Sequence, residues 1–291
     1  MKGAVPCRTI GARSTRQRAM IVAATNTVQS SARQNSAPED RIARNTLALL
    51  SSLILGLLTS GPLAAASLEA AIASPERPAA DRTRDAASRP AEVLTFFGVP
   101  EGGVAIDLFG GGGYYSEILT RAMGPDATVY LHNNQAYLNF AGEALEARLA
   151  NGRLPGVVRY DRELDAIDLA DGSVDLVLMV MTYHDLYYKT DGWDLDPDAF
   201  FVMLRRILKP QGVLAIVDHA AAEGAGKAAA QDLHRIDPAF ALKDITSQGF
   251  TLVEASDLLK NPDDPLNVSV FDDSIRGRTS KFLMKFAVTD D

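Results

Sequence analysis

One cysteine, Cys7, stands in 291 residues. That excludes a disulfide framework and any metal site built on clustered thiolates. Tryptophan occurs once, as Trp193, and histidine four times, as His132, His184, His219 and His234. With so few imidazoles, the place of each one is informative. The main amino-terminal apolar stretch, Leu47 to Leu58, falls short of the roughly 20 residues that a spanning helix needs. Basic charge is also scarce over most of the chain. From Ser67 onward 21 Lys and Arg face 35 Asp and Glu, a net charge of −14. A phosphate backbone would be repelled by such a body, so nucleic acid is not an expected partner.

What is present is ordinary for a globular protein: 47% apolar and 23% charged residues, in a chain long enough for one sizeable domain or two small ones. Residues 1–40 are rich in Ser, Thr, Gln and Arg, with no acid before Glu39. They read as a disordered leader or as the product of a misplaced start codon. In residues 41–66, Arg41 and Arg44 precede the apolar run, and Gly61-Pro62 and Ala64-Ala65-Ala66 follow it. That order describes an export signal cut near Ala66. It predicts an exported, periplasmic protein with no stable membrane insertion after processing; an uncleaved anchor through residues 47–63 is the rival reading. Residues 67–89 read as a helical lead-in, with Pro90 at the first position of a further helix.

From residue 90 strand and helix signals alternate, which predicts an α/β sheet layered between helices. Strands are expected at Val104–Leu108, Ala127–His132, Val157–Tyr160, Val174–Met181, Val213–Val217, Phe250–Glu254 and Ser280–Ala287. The fourth is an unbroken apolar run, as in strands buried on both faces. Helices are expected from Tyr115 to Met123, Gln135 to Leu149, Pro197 to Leu208, and from Asp237-Pro238 to Gly249.

The strongest chemical signal is Asp107-Leu108-Phe109-Gly110-Gly111-Gly112-Gly113-Tyr114, where the first strand runs into a turn without side chains and then a helix. Glycine lets a ligand approach the backbone closely, and the helix start adds free amide donors suited to a carboxylate. A dinucleotide fingerprint requires Gly-x-Gly-x-x-Gly, and its third position is Tyr115 or Ser116 here. A nicotinamide-dependent oxidoreductase is therefore a runner-up.

Asp107-x-Phe109-x-Gly111-x-Gly113 resembles the first motif of class I methyltransferases, with Phe109 replacing the first glycine. Asp175 to Leu178 and the Leu208-Lys209-Pro210-Gln211-Gly212-Val213 turn match later motifs of that family. The nearest likeness is to a subgroup of often exported members carrying Gly-Gly-Gly-Tyr-Tyr, Tyr-His-Asp and Asp-His, which stand here as Gly111–Tyr115, Tyr183–Asp185 and Asp218-His219. The resemblance implies a Rossmann-like three-layer sandwich with a mostly parallel seven-stranded sheet and an antiparallel last strand. It implies S-adenosyl-L-methionine as cofactor, its methionine part over Gly110, Gly111, Gly112 and Gly113, with Asp107, Phe109 and Tyr114 beside it. The ribose acid of the family is absent; Asn133, next to Asn134, takes its place, and Glu163 or Asp165 would meet adenine.

His132, His184 and His219 each end an expected strand, and His234 follows in the next connection. That sheet edge is where open α/β folds bind ligands. His184 and His219 lie beside acids, so His184, Asp185 and His219 are the candidate catalytic residues, either imidazole taking a proton from a substrate. Metal ligation by Asp185, Asp218 and the imidazoles is an alternative, but the acidic pattern of catechol-type enzymes is not recognisable and no metal is expected. Methyl transfer to a small molecule is the leading function. An exported, non-catalytic binding protein on the same scaffold is the second.

Overall fold

A computed structural model describes residues 66–289. The leader and all but the last residue of the export segment lie outside that range. Among the described residues no helix is long and apolar enough to cross a membrane.

The strands are β1 (Val104–Leu108), β2 (Thr128–Asn133), β3 (Val157–Asp161), β4 (Val174–Val180), β5 (Leu208–His219), β6 (Phe250–Ser256) and β7 (Lys281–Val288). They form one seven-stranded sheet in the order β3-β2-β1-β4-β5-β7-β6. β1 to β5 run parallel, and β7 runs antiparallel to both β5 and β6. The fold is the expected Rossmann-like sandwich. Because β1 lies between β2 and β4, the chain leaves β1 in one direction and returns on its other side. At such a switch point the loops after β1 and β4 diverge and open a crevice.

Side-chain alternation explains why the sheet needs helices on both faces. Leu176 and Leu178 of β4 pack with Ala105, Val129 and Val217 against α3 (Pro90–Phe97) and α4 (Tyr114–Met123). Val177 and Met179 point the other way, toward α6 (Pro197–Ile207) and α8 (Pro238–Ser247). Both of the latter helices start at an Asp-Pro pair: the Asp196 carboxylate accepts from Asp198 N and Ala199 N, and that of Asp237 from Ala239 N. The remaining helices are α1 (Leu68–Ala73), α2 (Ala79–Ser88), α5 (Gln135–Leu149) and α7 (Ala229–Leu233).

One element departs from expectation. β5 starts at Leu208 rather than Val213, because the Lys-Pro-Gln-Gly turn is folded into the strand as an irregularity between the Val174–Leu208 and Leu176–Val213 pairs. Another feature gave no sequence signal. Glu117 of α4 is fully buried, and Arg121 (3.1 Å), Arg148 (2.5 Å) and Arg153 (2.8 Å) converge on its carboxylate. Removing one partner from a buried charge network leaves the others uncompensated. Glu117→Gln is expected to lower unfolding free energy by about 3 kcal/mol in a urea titration; an unchanged midpoint would mean that water already satisfies the guanidiniums.

Candidate functional site

The turn after β1 is held by its own backbone and by β2. Gly110 N donates to His132 O (2.9 Å), and Gly113 N donates to Gly110 O (3.0 Å). A Cβ on Gly110 would stand 2.7 Å from the Asp107 carboxyl carbon and from Leu131 Cδ1, so a side chain there would have to displace the buried carboxylate. Gly113, at φ +77°, caps α4 in the left-handed region that glycine adopts without strain. Beneath the turn the buried Asp107 carboxylate accepts from Ser116 N (3.0 Å) and Ser116 Oγ (2.6 Å), tying strand to helix. Burial pushes this carboxyl up to about 6, with the Ser116 bonds partly offsetting it.

Phe109 breaks the glycine pattern in a specific way. It takes φ +55°, a left-handed conformation that costs a side-chain-bearing residue about 1–2 kcal/mol. Its ring is buried against His132 (5.1 Å between centroids), Tyr137 (4.9 Å) and Trp193 (5.3 Å). That aromatic group separates the glycine turn from the cavity beyond.

The cavity, of about 520 Å³, opens at the carboxyl ends of β4 and β5. Tyr137, Met181, His184, Asp185, Trp193 and His234 line it, together with His219. Met181 (φ +61°) and His234 (φ +51°) are, like Phe109, left-handed without being glycine. Such strained backbone gathers at functional sites.

Asp218, at the end of β5, organises two imidazoles. Its Oδ1 lies 2.8 Å from His184 Nδ1 and accepts from His219 N at 2.7 Å, while its Oδ2 accepts from His184 N at 2.7 Å. His184 Nε2 is 3.2 Å from Asp185 Oδ1, and the Tyr137 hydroxyl donates to Asp185 Oδ2 at 2.6 Å. Burial alone would push the His184 imidazole down, but the Asp218 and Asp185 carboxylates outweigh it and hold it up at about 10. Burial likewise would raise Asp185, and its bonds to His184, His234 and Tyr137 instead hold it well below the usual carboxylate range. His219 behaves oppositely. Burial, then the nearby positive charges of His184, Lys281 and Arg235, keep it far below its ordinary value, and its Nδ1 pairs with Thr279 Oγ1 at 2.8 Å.

His184, Asp185 and His219 thus meet in one cavity. The candidate cofactor residues are placed differently. Asn133 is fully buried and spends its side chain on the turn, accepting from Gly111 N (2.9 Å) and donating to Gly111 O (3.0 Å). Asn134 caps α5 through Tyr137 N (3.0 Å) and donates to Glu163 at 3.3 Å. The Tyr114 hydroxyl donates to Asp85 (2.6 Å), with the Arg84 guanidinium 4.0 Å from its ring centroid, so it faces α2. Glu163 and Asp165 line a separate cavity with Phe200 and Arg206. Sequence reasoning missed two partners: Asp218 as the ring partner of His184, and His234, which reaches within 3.8 Å of Asp185. Both contacts join separate strands and connections, so only the fold could reveal them.

His132, the fourth imidazole, is structural. Phe109 N donates to its Nδ1 (3.3 Å), and its Nε2 lies 3.0 Å from Arg162 O. Burial lowers it to about 4. A histidine depressed on folding contributes stability above the unfolded value near 6.5 that is lost as pH falls through about 4. The stability advantage of the wild type over His132→Asn is therefore expected to shrink by about 3 kcal/mol between those pH values. Denaturant titrations at both ends measure it, and using the difference removes the opposing titration of Asp107.

With the geometry in view, comparison with known proteins is informative. Residues 106–216 match the family model described as a methyltransferase domain. No curated protein matches the chain by sequence. Among solved structures it is similar to a SAM-dependent methyltransferase from Aquifex aeolicus, at 21% identity and a TM-score of 0.51, over 73% of this chain and 99% of that one. It is also similar to geranyl diphosphate C-methyltransferase from Streptomyces coelicolor A3(2), at 12% identity and a TM-score of 0.50, over 79% and 88%. That enzyme was solved with Mg2+, geranyl-S-thiolodiphosphate and S-adenosyl-L-homocysteine. The glycine turn and the first five strands thus lie within or beside a segment that matches a methyltransferase domain, in a sheet of the Rossmann-like kind.

The residues at the turn would fit S-adenosyl-L-methionine. Four successive positions carry no side chain, and a buried carboxylate fixes the turn from below. Phe109 is the departure, because its ring stands between this cradle and the cavity.

Proposed function

We propose that this chain transfers a methyl group from S-adenosyl-L-methionine to a small acceptor held in the histidine-lined cavity. The observation that carries the reading is His184, clamped between Asp218 and Asp185 at the sheet edge next to the glycine turn. When bound, the cofactor supplies an electrophilic methyl on a sulfonium. The backbone of Gly110 to Gly113 would hold its amino-acid end. His184, kept protonated near neutral pH with its two N–H groups on Asp218 and Asp185, sets positive charge beside the acceptor. His219, kept neutral, is the group free to accept the acceptor's proton. Most of the rate comes from alignment, with proton removal a secondary aid.

Phe109 favours a second reading, a non-catalytic binding protein on the same scaffold. Calorimetry with S-adenosyl-L-homocysteine and with NAD separates the two. One-to-one binding of the first alone is expected. No heat with either would leave only the binding protein. Within the enzyme reading, His184→Ala is expected to lower turnover about 100-fold while leaving homocysteine-nucleoside affinity within about two-fold. Unchanged turnover would remove His184 from the reaction. We further propose export through the 41–66 segment; mass spectrometry of the mature amino terminus tests it.

A further inference from the structure

We propose that His184, Asp185 and His234 form a binding site for a divalent transition-metal ion of the zinc, cobalt(II) or iron(II) kind, open toward the cavity. One ligand atom from each of these residues lies within 4.8 Å of the others. His184 Nε2 and Asp185 Oδ1 are 3.2 Å apart, and His234 Nδ1 is 3.8 Å from the same oxygen. An ion bonded at about 2.0–2.2 Å to each of three ligands sets them roughly 3–3.5 Å apart, so His184 and Asp185 already stand at ligand spacing and an inward shift of His234 closes the site. Two imidazoles with one carboxylate suit zinc-like ions, whereas magnesium and calcium prefer oxygen alone.

The groups behind the ligands match what metal sites require. A ligating histidine is normally aimed by a carboxylate on its other nitrogen, and the ligating carboxylate is itself hydrogen-bonded. Here Asp218 takes His184 Nδ1 and leaves Nε2 facing Asp185, while Tyr137 holds the second oxygen of Asp185. The His234 ring is wedged between Tyr188 (4.7 Å between centroids) and Phe271 (4.9 Å). Its backbone is left-handed, and the residue lines the cavity. His219 lies outside the ligand group: its Nδ1 is taken by Thr279, and its ring centroid is 6.0 Å from that of His184. Three protein ligands bordering a cavity leave a coordination position for water or an acceptor oxygen, the arrangement of catalytic rather than structural zinc sites. An ion there would place positive charge where the protonated His184 otherwise does.

This inference is independent of methyl transfer, because metal binding is measured without cofactor or acceptor. The full chain, stripped with a chelator, is titrated with Co(II) and followed by its visible absorption. One ion per chain with micromolar or tighter affinity is expected, displaced by Zn(II). Paramagnetically shifted ring resonances should count two bound imidazoles. His234→Asn keeps a side chain that tolerates the left-handed backbone and should weaken Co(II) binding at least about 100-fold. Asp218→Asn, acting only through His184, should weaken it about 10-fold. Absence of stoichiometric binding, fewer than two shifted imidazoles, or equal affinity in a folded His234→Asn protein overturns the proposal. Failure of S-adenosyl-L-homocysteine to bind leaves it standing.

Discussion

Phe109→Gly is expected to bind S-adenosyl-L-homocysteine at least about 10-fold more tightly than the wild type, a gain of about 1.4 kcal/mol. The wild-type ring is buried beside the turn against Tyr137 and Trp193, and a ligand spanning the turn and the cavity is expected to displace those contacts. Binding that first reorganises the protein is weakened by the cost of that reorganisation. Glycine removes the obstruction and also relieves the left-handed strain at this position. The same change empties a buried aromatic site, which costs about 3–5 kcal/mol, against about 1–2 kcal/mol of strain relieved. The variant should therefore melt earlier while binding better. Paired calorimetry and thermal unfolding read both quantities. Phe109→Leu serves as the control, because it retains a β-carbon and an obstructing side chain. Tighter binding by Leu as well as by Gly would show that ring size, not access to the cradle, limits affinity. Unchanged affinity in Phe109→Gly would mean that the ligand does not use the turn.

Asp218→Asn carries the second large effect. This carboxylate is fully buried and accepts three hydrogen bonds, from both histidine amides and the His184 ring. An amide matches its shape but not its charge, so His184 loses its main charged partner and its fixed orientation. Turnover should fall about 100- to 1,000-fold, with S-adenosyl-L-homocysteine affinity little changed. A pH series gives a readout that a purely structural role would not move. Because folding raises the His184 pKa from 6.5 to about 10, its contribution to stability is complete below 6.5 and is lost as pH rises through about 10. In the variant that alkaline loss should flatten. An undiminished alkaline slope would assign the titration to another group.

The architecture was legible because its signals are local and redundant. Val174 to Val180 is apolar at every position but Asp175, and Asp-Pro pairs mark both helices that follow the later crossovers. The glycine turn was equally visible, since its sequence cannot sustain a helix or a strand ladder. The site was legible only in part. Placing three histidines at strand ends located the edge, and the fold put His184 and His219 in one cavity while retiring His132 into the hydrogen bonds beneath Phe109. Which acid meets which imidazole was hidden. Asp218 is a chain neighbour of His219 but bonds the ring of His184 across the parallel β4–β5 pair. Adjacency along the chain suggested one partner, and strand register supplied another. Asn133 shows the same limit. Its position suggested a ligand contact, yet a buried amide must satisfy both of its polar ends, and the nearest groups available were those of Gly111.

The recognisable methyltransferase segment stops at residue 216, just short of Asp218 and His219. His234, Val270 and Phe271 reach the cavity from beyond that boundary, and Thr279 steadies His219 from the entrance to the inverted strand. Two stretches of chain therefore meet across one hollow: one inside the segment that matches the methyltransferase model, and one beyond it that supplies much of the cavity wall. Transplanting residues 217–289 between relatives of this architecture should exchange what is modified and leave the donor the same.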